Sequence, residues 1–483
     1  MSQGVTPQKE DFAQWYQDVV RVADLAENSP VRGCMIIKPY GYELWEAIRA
    51  ALDKRFKATG HKNAYFPLFI PMSFMQKEAE HVEGFSPELA VVTIGGGEEL
   101  AEPLVVRPTS ETIIGHAMSN WIQSYRDLPL LLNQWANVVR WELRTRPFLR
   151  TTEFLWQEGH TAHATEAEAQ AETIQMLDIY ADMAYKDAAV PVIKGRKSNQ
   201  EKFAGAAASY TIEGMMRNGW ALQSGTSHNL GQNFAKAFDI KYVDEKNELQ
   251  HAWTTSWGLS TRFVGAIIMT HGDDVGLRMP PRLAPIQVVI VPIYKTDEEK
   301  SKVLDAVGRV ADSLMSVGIR LHVDERDDKS PGFKFNDWEL RGVPVRMEVG
   351  PKDVEKGQVV LARRDIPGKE GKQFAKQEGI IATVHNLLND VHNNLLKEAI
   401  EFRDSHLHDA KSLKELVEIV EAGGWALIPC DGSREGEEQI KEACKATNRC
   451  FPLDKNEGKP PKGLKDPVTG KAAIGYAYFG RSY

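Results

Sequence analysis

Four arginines crowd one short stretch, at positions 140, 144, 146 and 150 of VVRWELRTRPFLRTTEFLWQEGHTAH (138–163). Guanidinium is planar, permanently charged and able to donate two parallel hydrogen bonds, so this density of forks suits a polyphosphate, and a nucleotide is the natural guest. Taken alone, such a run is as readily a solvated basic turn. The flanking residues say what carries it. Val138, Arg140 and Glu142 alternate, and Phe154, Trp156 and Glu158 alternate again, which predicts an antiparallel hairpin with a basic, proline-containing loop at its tip.

Other candidate chemistry sits where elements change. Between Leu89 and Arg107 the runs AVVTI and PLVVR flank a GGGE turn and predict a second hairpin. It delivers Thr109, Ser110 and Glu111 to the start of a helix with Ile113, Ile114, Ala117 and Trp121 on one face. A hydroxyl residue there is ordinarily an N-cap, whereas a carboxylate such as Glu111 can also accept from a cationic amine. The segment TSWGLSTRFVGAIIMTHGD reads as a strand passing through Gly258 into a helix that opens near Ser260. Arg262 then lies at a helix start, where a cation is unfavourable unless an anion is present. WALQSGTSHNLGQNF (220–234) predicts a strand carrying Gln223, Thr226 and His228, and one histidine beside Gly and Ser is ordinarily structural. Thr165 and Glu168 form a capping box ahead of a long helix through Tyr185.

The pattern Arg140-x-Glu142, a loop, then Arg150-x-x-x-Phe154 resembles motif 2 of the class II aminoacyl-tRNA synthetases, and the longer string is similar to the version found in prolyl-tRNA synthetases. GHKNAYFPLF (60–69), after a helix over 43–57 and at the head of a strand AYFPLFIP, resembles motif 1, which forms the homodimer interface in that family. The 255–273 segment resembles motif 3. The resemblance covers nearly the whole chain, and it implies activation of proline with ATP and Mg2+ followed by transfer to tRNA(Pro). It implies Arg140 and Arg262 as catalytic residues, the first bridging the α-phosphate and the amino-acid carboxylate, the second holding the triphosphate tail with Arg150. By the same resemblance Phe154 stacks on adenine, and Glu142, Thr151, Gln223 and Thr226 touch ATP. Thr109 and Glu111 hold the proline nitrogen, while Trp156, Phe203, His228 and Ser260 complete the proline pocket.

The remaining chain bears on rivals. There is no GxGxxG after a strand and no GxxxxGK[ST], so Rossmann and P-loop phosphate cradles are excluded. A sister enzyme for threonine would call for zinc ligands in the first domain, where Cys34 is the only cysteine; a non-catalytic tRNA sensor would be expected to lose Arg140, Glu142 or Arg262. With 42% hydrophobic and 26% charged residues in 483, the composition allows two or three domains, and a net charge of −8 excludes a generally basic coat, so any RNA contact is a local patch. No apolar leader and no run near the ~18 residues of a membrane span are seen, so a cytoplasmic, membrane-free protein is expected.

The expected fold class is α/β (α+β): an antiparallel class II catalytic domain over 1–283, then an α/β domain over 284–385, then a small α/β extension over 386–483. The second resembles the anticodon-binding domain of class IIa synthetases. Its basic residues barely outnumber its acidic ones between Arg326 and Arg364, so tRNA contact through Glu339, Arg341, Arg346 and Lys352 rests on resemblance. A mostly parallel sheet is expected there. The last region resembles the C-terminal extension of archaeal and eukaryotic-type prolyl enzymes, in which four cysteines hold zinc. Here the four positions fall on Cys430, Gly436, Asp466 and Thr469, so no structural zinc is expected. Bacterial-type relatives carry an editing insertion between motifs 2 and 3, and the spacing here leaves no room for one.

Overall fold

The arginine-rich stretch is a hairpin: Leu130–Val139 pairs with Glu153–His163 in unbroken antiparallel register from Leu130↔Ala162 to Val139↔Glu153. The computed structural model describes residues 4–81, 89–142, 144–456 and 463–483, so part of the Gly, Lys and Pro-rich C-terminal tail lies outside the described residues. The first strand ends one residue before Arg140. Arg140 and Glu142 therefore belong to the loop, not to the strand their alternation predicts, because the loop closes on itself: the Arg146 amide donates to the Arg150 carbonyl at 2.7 Å and the reverse bond is 3.0 Å.

The hairpin is the heart of an eleven-stranded sheet. On one side Leu130–Val139 meets the short parallel strand Lys62–Asn63. On the other, Glu153–His163 is followed by Trp253–Ser260, Ala221–Gly231, Ala208–Met215 and Val192–Arg196, all antiparallel. Antiparallel neighbours such as Leu130–Val139 with Glu153–His163 and Ala208–Met215 with Ala221–Gly231 follow each other as hairpins, which gives this arrangement. Gly159 has no Cβ because the Trp257 indole lies where one would sit, and Trp257 joins Phe56, Tyr180 and Trp15 in the core between the sheet and its helices. The long helix Glu166–Lys186 opens with the predicted Thr165–Glu168 capping box and packs on that sheet.

Three local expectations are corrected. The helical spacing of Phe12, Trp15, Tyr16, Val19 and Val22 predicts a helix over 11–27, and the helix is Phe12–Val22, ended by Asp24 at φ 60. Of the single strand expected over 64–71 only Phe69–Pro71 is strand, with a separate short strand Lys62–Asn63 ahead of it; between them lies Pro67, which lacks the N–H a ladder requires. The five-stranded sheet between residues 288 and 376 is mixed: Val288–Pro292 lies between two parallel partners, Leu321–Val323 and Val345–Val349, but Gln358–Arg363 and Lys372–Lys376 add antiparallel. Only the five-residue helix Pro351–Glu355 joins the third of these strands in sequence to the fourth, too little chain for a parallel crossover.

After the helix Ile380–Ser405, the strands Leu407–Asp409, Trp425–Cys430, Gly475–Gly480 and Thr447–Pro452 complete the eleven. Thr447–Pro452 pairs with Val192–Arg196 through Phe451↔Arg196 and Pro452↔Gly195, so the last region continues the first region's sheet. The chain end locks on too: the Ala221 amide donates to the Arg481 carbonyl at 2.7 Å.

Candidate active site

Two cross-sheet rows build a floor. Glu158, Gly258, Thr226 and Thr211 are successive partners along one row, and His160, Ser256, His228 and Ser209 along the next. Period-two alternation puts Phe154 and Trp156 on the same face as Glu158 and His160. Above the floor is a cleft of about 480 Å³.

At one wall the helix Glu111–Trp121 presents its first residue. The Thr109 hydroxyl donates to the Glu111 carboxylate in a very short hydrogen bond. Ser110 occupies the N-cap position but makes no capping bond; its hydroxyl donates instead to Glu158 Oε1 at 2.5 Å, so the ordinary N-cap reading is superseded. Gln134 Nε2 donates to the same oxygen at 2.9 Å, and its own Oε1 accepts from the Phe66 amide. His160 Nε2 meets Glu158 Oε2 at 2.9 Å. Burial would raise the Glu158 pKa, but His160, Ser110 and Gln134 together hold it below the usual carboxylate range. Burial would likewise lower His160, and Glu158 overrides it and raises it. The pair is thus an ion pair behind a wall of negative charge.

Cations stand opposite. Arg140 Nε donates to the Pro108 carbonyl at 3.0 Å, and its guanidinium lies 5.5 Å from the Phe154 ring and 5.4 Å from Trp156. It is open to the cleft mouth. Arg262 is the first residue of the helix Arg262–His271, as the strand-to-helix reading predicts, and its Nε donates to the Leu149 carbonyl at 3.0 Å. Burial, then Arg140 and Arg150, bring its pKa down to about 10, the mark of a cation cluster short of an anion. The Phe203 ring lies tilted against His228 at 4.9 Å, and His228 Nδ1 meets the Ser209 hydroxyl at 2.8 Å. Burial, Lys197 and His160 bring His228 down to about 3, so this ring is neutral.

The cleft brings together Thr109, Glu111, Arg140, Phe154, Trp156 and Phe203, and with them Gln223, Thr226, His228, Ser260 and Arg262. Glu142, Arg150 and Thr151 are not among its lining residues. Arg150 Nε pairs with Glu142 Oε2 at 3.4 Å in the loop, and the buried Thr151 hydroxyl donates to the Glu153 carbonyl at 2.7 Å. Sequence reasoning missed Glu158, His160, Lys197, Glu201 and Ser256 as lining residues. Continuing the alternation from Phe154 and Trp156 would have found the first two; the loop residues Lys197 and Glu201 carry no such period.

Elsewhere, Arg346 is buried between Glu339 at 2.6 Å and Glu348 at 3.0 Å and lies over Phe335, whereas Lys352 is exposed. Arg341 lies over the Trp338 and Tyr40 rings. The four positions aligned with zinc ligands do converge: a Cβ on Gly436 would stand 3.0 Å from Thr469 Cγ2, and ligand atoms of Cys430, Asp431 and Asp466 lie within 4.8 Å of one another. The donors do not fit zinc. Gly436 offers none, burial pushes the Cys430 thiol up to about 12, and the carboxylates of Asp431 and Asp466 accept from the 431, 433 and 468 amides and the Thr469 hydroxyl. Among the described residues no helix is long and apolar enough to cross a membrane.

Three family profiles match: the class II tRNA synthetase core domain (G, H, P, S and T) over 93–271, an anticodon binding domain over 287–382, and the prolyl-tRNA synthetase C-terminal domain over 413–483. The proline–tRNA ligase of Roseiflexus castenholzii is 58% identical over all of this chain and 99% of that protein. A chloroplastic/mitochondrial proline–tRNA ligase of Arabidopsis thaliana is 55% identical over 99% of this chain and 88% of its own length, and the proline–tRNA ligase of Bacteroides fragilis is 54% identical over 99% of both. With the antiparallel floor, the walls of opposite charge and full-length identity at this level, the chain belongs to the prolyl-tRNA synthetase family, of class II.

Proposed function

We infer that this chain is an ATP-dependent proline–tRNA ligase. The observation that supports this best is the single cleft with carboxylates Glu111 and Glu158 on one wall and Arg140 and Arg262 on the other. Proline is a zwitterion and ATP a polyanion, so such a polarised cleft orients one against the other. A proline carboxylate oxygen attacks the α-phosphorus, the bond to pyrophosphate breaks, and prolyl-adenylate results. The terminal ribose hydroxyl of tRNA(Pro) then attacks the acyl carbon and AMP leaves. Positioning and charge neutralisation suffice, and no side-chain nucleophile is required.

In this reading Glu111, fixed by Thr109, accepts from the proline nitrogen, and Phe203, Trp156, His228 and Ser260 enclose the ring. Arg140 bridges the reacting carboxylate and α-phosphate, Phe154 stacks on adenine, and Arg262 meets the phosphate tail. Gln223 and Thr226 touch ATP from the floor. Arg150, Glu142 and Thr151 act from the loop, which reaches ATP by closing over it. ATP enters as its magnesium complex. Glu111 and Glu158 are engaged by their neighbours, which leaves Glu201 as the cleft carboxylate suited to a phosphate-bound metal.

Residues 284–385 read the anticodon, with Arg341 and Lys352 better placed than the enclosed Arg346 and its partner Glu339. The protein works as a homodimer in the cytoplasm without structural zinc. Exposed aromatic residues Tyr65, Phe69 and Trp121 along and beside the motif 1 segment support the dimer. ATP–pyrophosphate exchange across the twenty amino acids tests the whole reading: proline should support it, and stimulation by threonine, serine or glycine instead would overturn it.

A further inference from the structure

Lys197 follows the strand Val192–Arg196, and its backbone amide donates to the Ser209 carbonyl at 2.8 Å. Its side chain runs into the cleft and is only 7% exposed. No described residue accepts a hydrogen bond from its ammonium. On the neighbouring strand is Glu213, wholly buried, which accepts from Thr211 Oγ1 at 2.8 Å and from Arg449 through Nη2 at 3.1 Å and Nε at 3.3 Å. Arg449 comes from Thr447–Pro452, the strand by which the C-terminal region joins the catalytic sheet, and its Nη1 donates to Thr447 Oγ1 at 2.7 Å.

The cluster does not balance. Two buried cations share one fully buried carboxylate, and Arg449 takes two of its hydrogen bonds. Excess buried charge is costly unless a counter-ion arrives, and the only open direction is the cleft, where Glu201 stands at the wall half-buried. Burial lowers the Lys197 pKa, and Glu213 and the half-buried Glu201 oppose that shift. Position tells which anion. The Lys197 amide is bonded to Ser209, the cross-strand partner of His228 at the proposed amino-acid end, while Glu213 holds Thr211, the cross-strand partner of Thr226 at the proposed ATP end. The side chain thus enters the cleft where these two rows meet.

We propose that Lys197 is a further catalytic residue, binding the anion where the amino-acid carboxylate meets the α-phosphate, and that Arg449 of the C-terminal region is its positioning residue, acting through Glu213. Without Arg449, Glu213 loses both guanidinium hydrogen bonds and draws the Lys197 ammonium off the cleft. The C-terminal region is on this view part of the adenylation site. The proposal rests on the ligase reading.

Full-length wild type, Lys197→Met, Lys197→Arg, Arg449→Met, Arg449→Lys and the Lys197→Met/Arg449→Met double variant are compared in proline-dependent ATP–pyrophosphate exchange, with thermal unfolding followed in parallel. Absence of proline-dependent exchange in the wild type overturns the ligase reading itself, independently of Lys197. For Lys197→Met we expect kcat lower by at least about tenfold, KM for proline and ATP within about threefold, and an unfolding midpoint that is not lowered, since a buried excess charge has been removed. Lys197→Arg should recover part of the rate. Arg449→Met should lose a similar factor, Arg449→Lys should keep most of the activity, and the double variant should be no slower than Lys197→Met alone. Lys197→Met with kcat within about twofold of wild type, or with activity lost only as the fold is lost, overturns the catalytic role. Losses that multiply in the double variant, or an inactive Arg449→Lys, overturn the positioning role.

Discussion

Arg140→Ala separates function from stability most sharply. The side chain makes one hydrogen bond, to the Pro108 carbonyl, and lies over two rings at 5.4 and 5.5 Å. At an accessible site each cation–π contact is worth about 0.5–1 kcal/mol, and the neutral-acceptor hydrogen bond about 1 kcal/mol net. Alanine also relieves repulsion with Arg262 but gives up attraction to Glu111 and Glu158, and these offset each other. The fold should therefore weaken by about 1–2 kcal/mol, a few degrees in the unfolding midpoint. The rate should suffer far more. A preorganised partner of developing charge is typically worth about 10²–10³-fold, or roughly 3–4 kcal/mol of barrier, because it costs no reorganisation during the reaction. Arg140→Lys keeps the charge but loses the planar fork that can meet a carboxylate and a phosphate together, so it should lie between. Pyrophosphate exchange at saturating proline and ATP reads the barrier, and circular dichroism during heating reads the fold. Exchange by Arg140→Ala near the wild-type rate would refute the placing of Arg140 at the reacting atoms. A rate loss matched by loss of the folded signal would refute the separation argued here.

Other outcomes follow from the same geometry. Glu111→Gln should raise KM for proline at least about tenfold with little change in KM for ATP, since an amide cannot meet the cationic nitrogen with full charge; equal effects on both substrates would show Glu111 is not on the proline side. The folded pKa of His160 is raised, so the Glu158–His160 pair is fully present below about pH 6.5 and is lost as pH rises through that raised value. Proline KM should therefore climb on the alkaline side, and Glu158→Gln should abolish the climb; an unchanged pH profile would break the link. Residues 164–252 are accounted for by core helices and strands, with no further domain among them. Alanine, smaller than proline by groups worth only about 1–3 kcal/mol each, should be charged onto tRNA(Pro) and not cleared; rapid deacylation of alanyl-tRNA(Pro) by the pure enzyme would contradict this. Metal analysis should find no zinc, and Gly436→Cys/Asp466→Cys/Thr469→Cys should acquire it; about one zinc per wild-type chain surviving chelator would overturn the register.

What was legible in the sequence is what local pattern encodes. Alternation in Phe154, Trp156 and Glu158 marked the face of a strand, and Arg262 at a helix start marked an electrostatic oddity; both lie in the cleft. Pro67 breaks the strand that the apolar run 64–71 suggests, and the short span between Val349 and Gln358 leaves too little chain for a parallel crossover; both are legible in the sequence. Other features had no local signal. Glu213 and Arg449 are far apart in the chain, and nothing in either segment's periodicity says that an edge strand of the last region will pair with Val192–Arg196. Ser110 read as a cap because capping depends on neighbours in sequence, whereas its actual partner, Glu158, is supplied by tertiary structure.

The same edge pairing explains how the last region can hold its shape on hydrogen bonds at the four positions where the resemblance implies zinc ligands. Zinc at 430, 436, 466 and 469 would tie together a strand end, the first turn of the helix Arg434–Cys444 and the turn after Asp466. Here Asp466 Oδ2 accepts from the Asp431 amide at 2.9 Å, Thr469 Oγ1 donates to Asp431 Oδ2 at 2.8 Å, and Asp431 Oδ1 accepts from the Ser433 amide at 2.8 Å, linking the same three segments. Hydrogen bonds to charged groups contribute about 1.5–3 kcal/mol each, against roughly 10–16 kcal/mol for a structural zinc. The network alone falls short. The remainder has to come from burial, and two sources are visible: the region's own core around Leu416, Ile428, Ile440 and Phe479, and its attachment to the catalytic sheet, where Trp425, Leu427 and Tyr478 pack on Met215 and Ala221. A region stabilised by attachment has little reason to fold alone. Its Arg449 reaches the buried Glu213 of the catalytic sheet through that attachment, so a fold that needs no zinc and the proposed dependence of the active site on the C-terminal region are both expected of one interface.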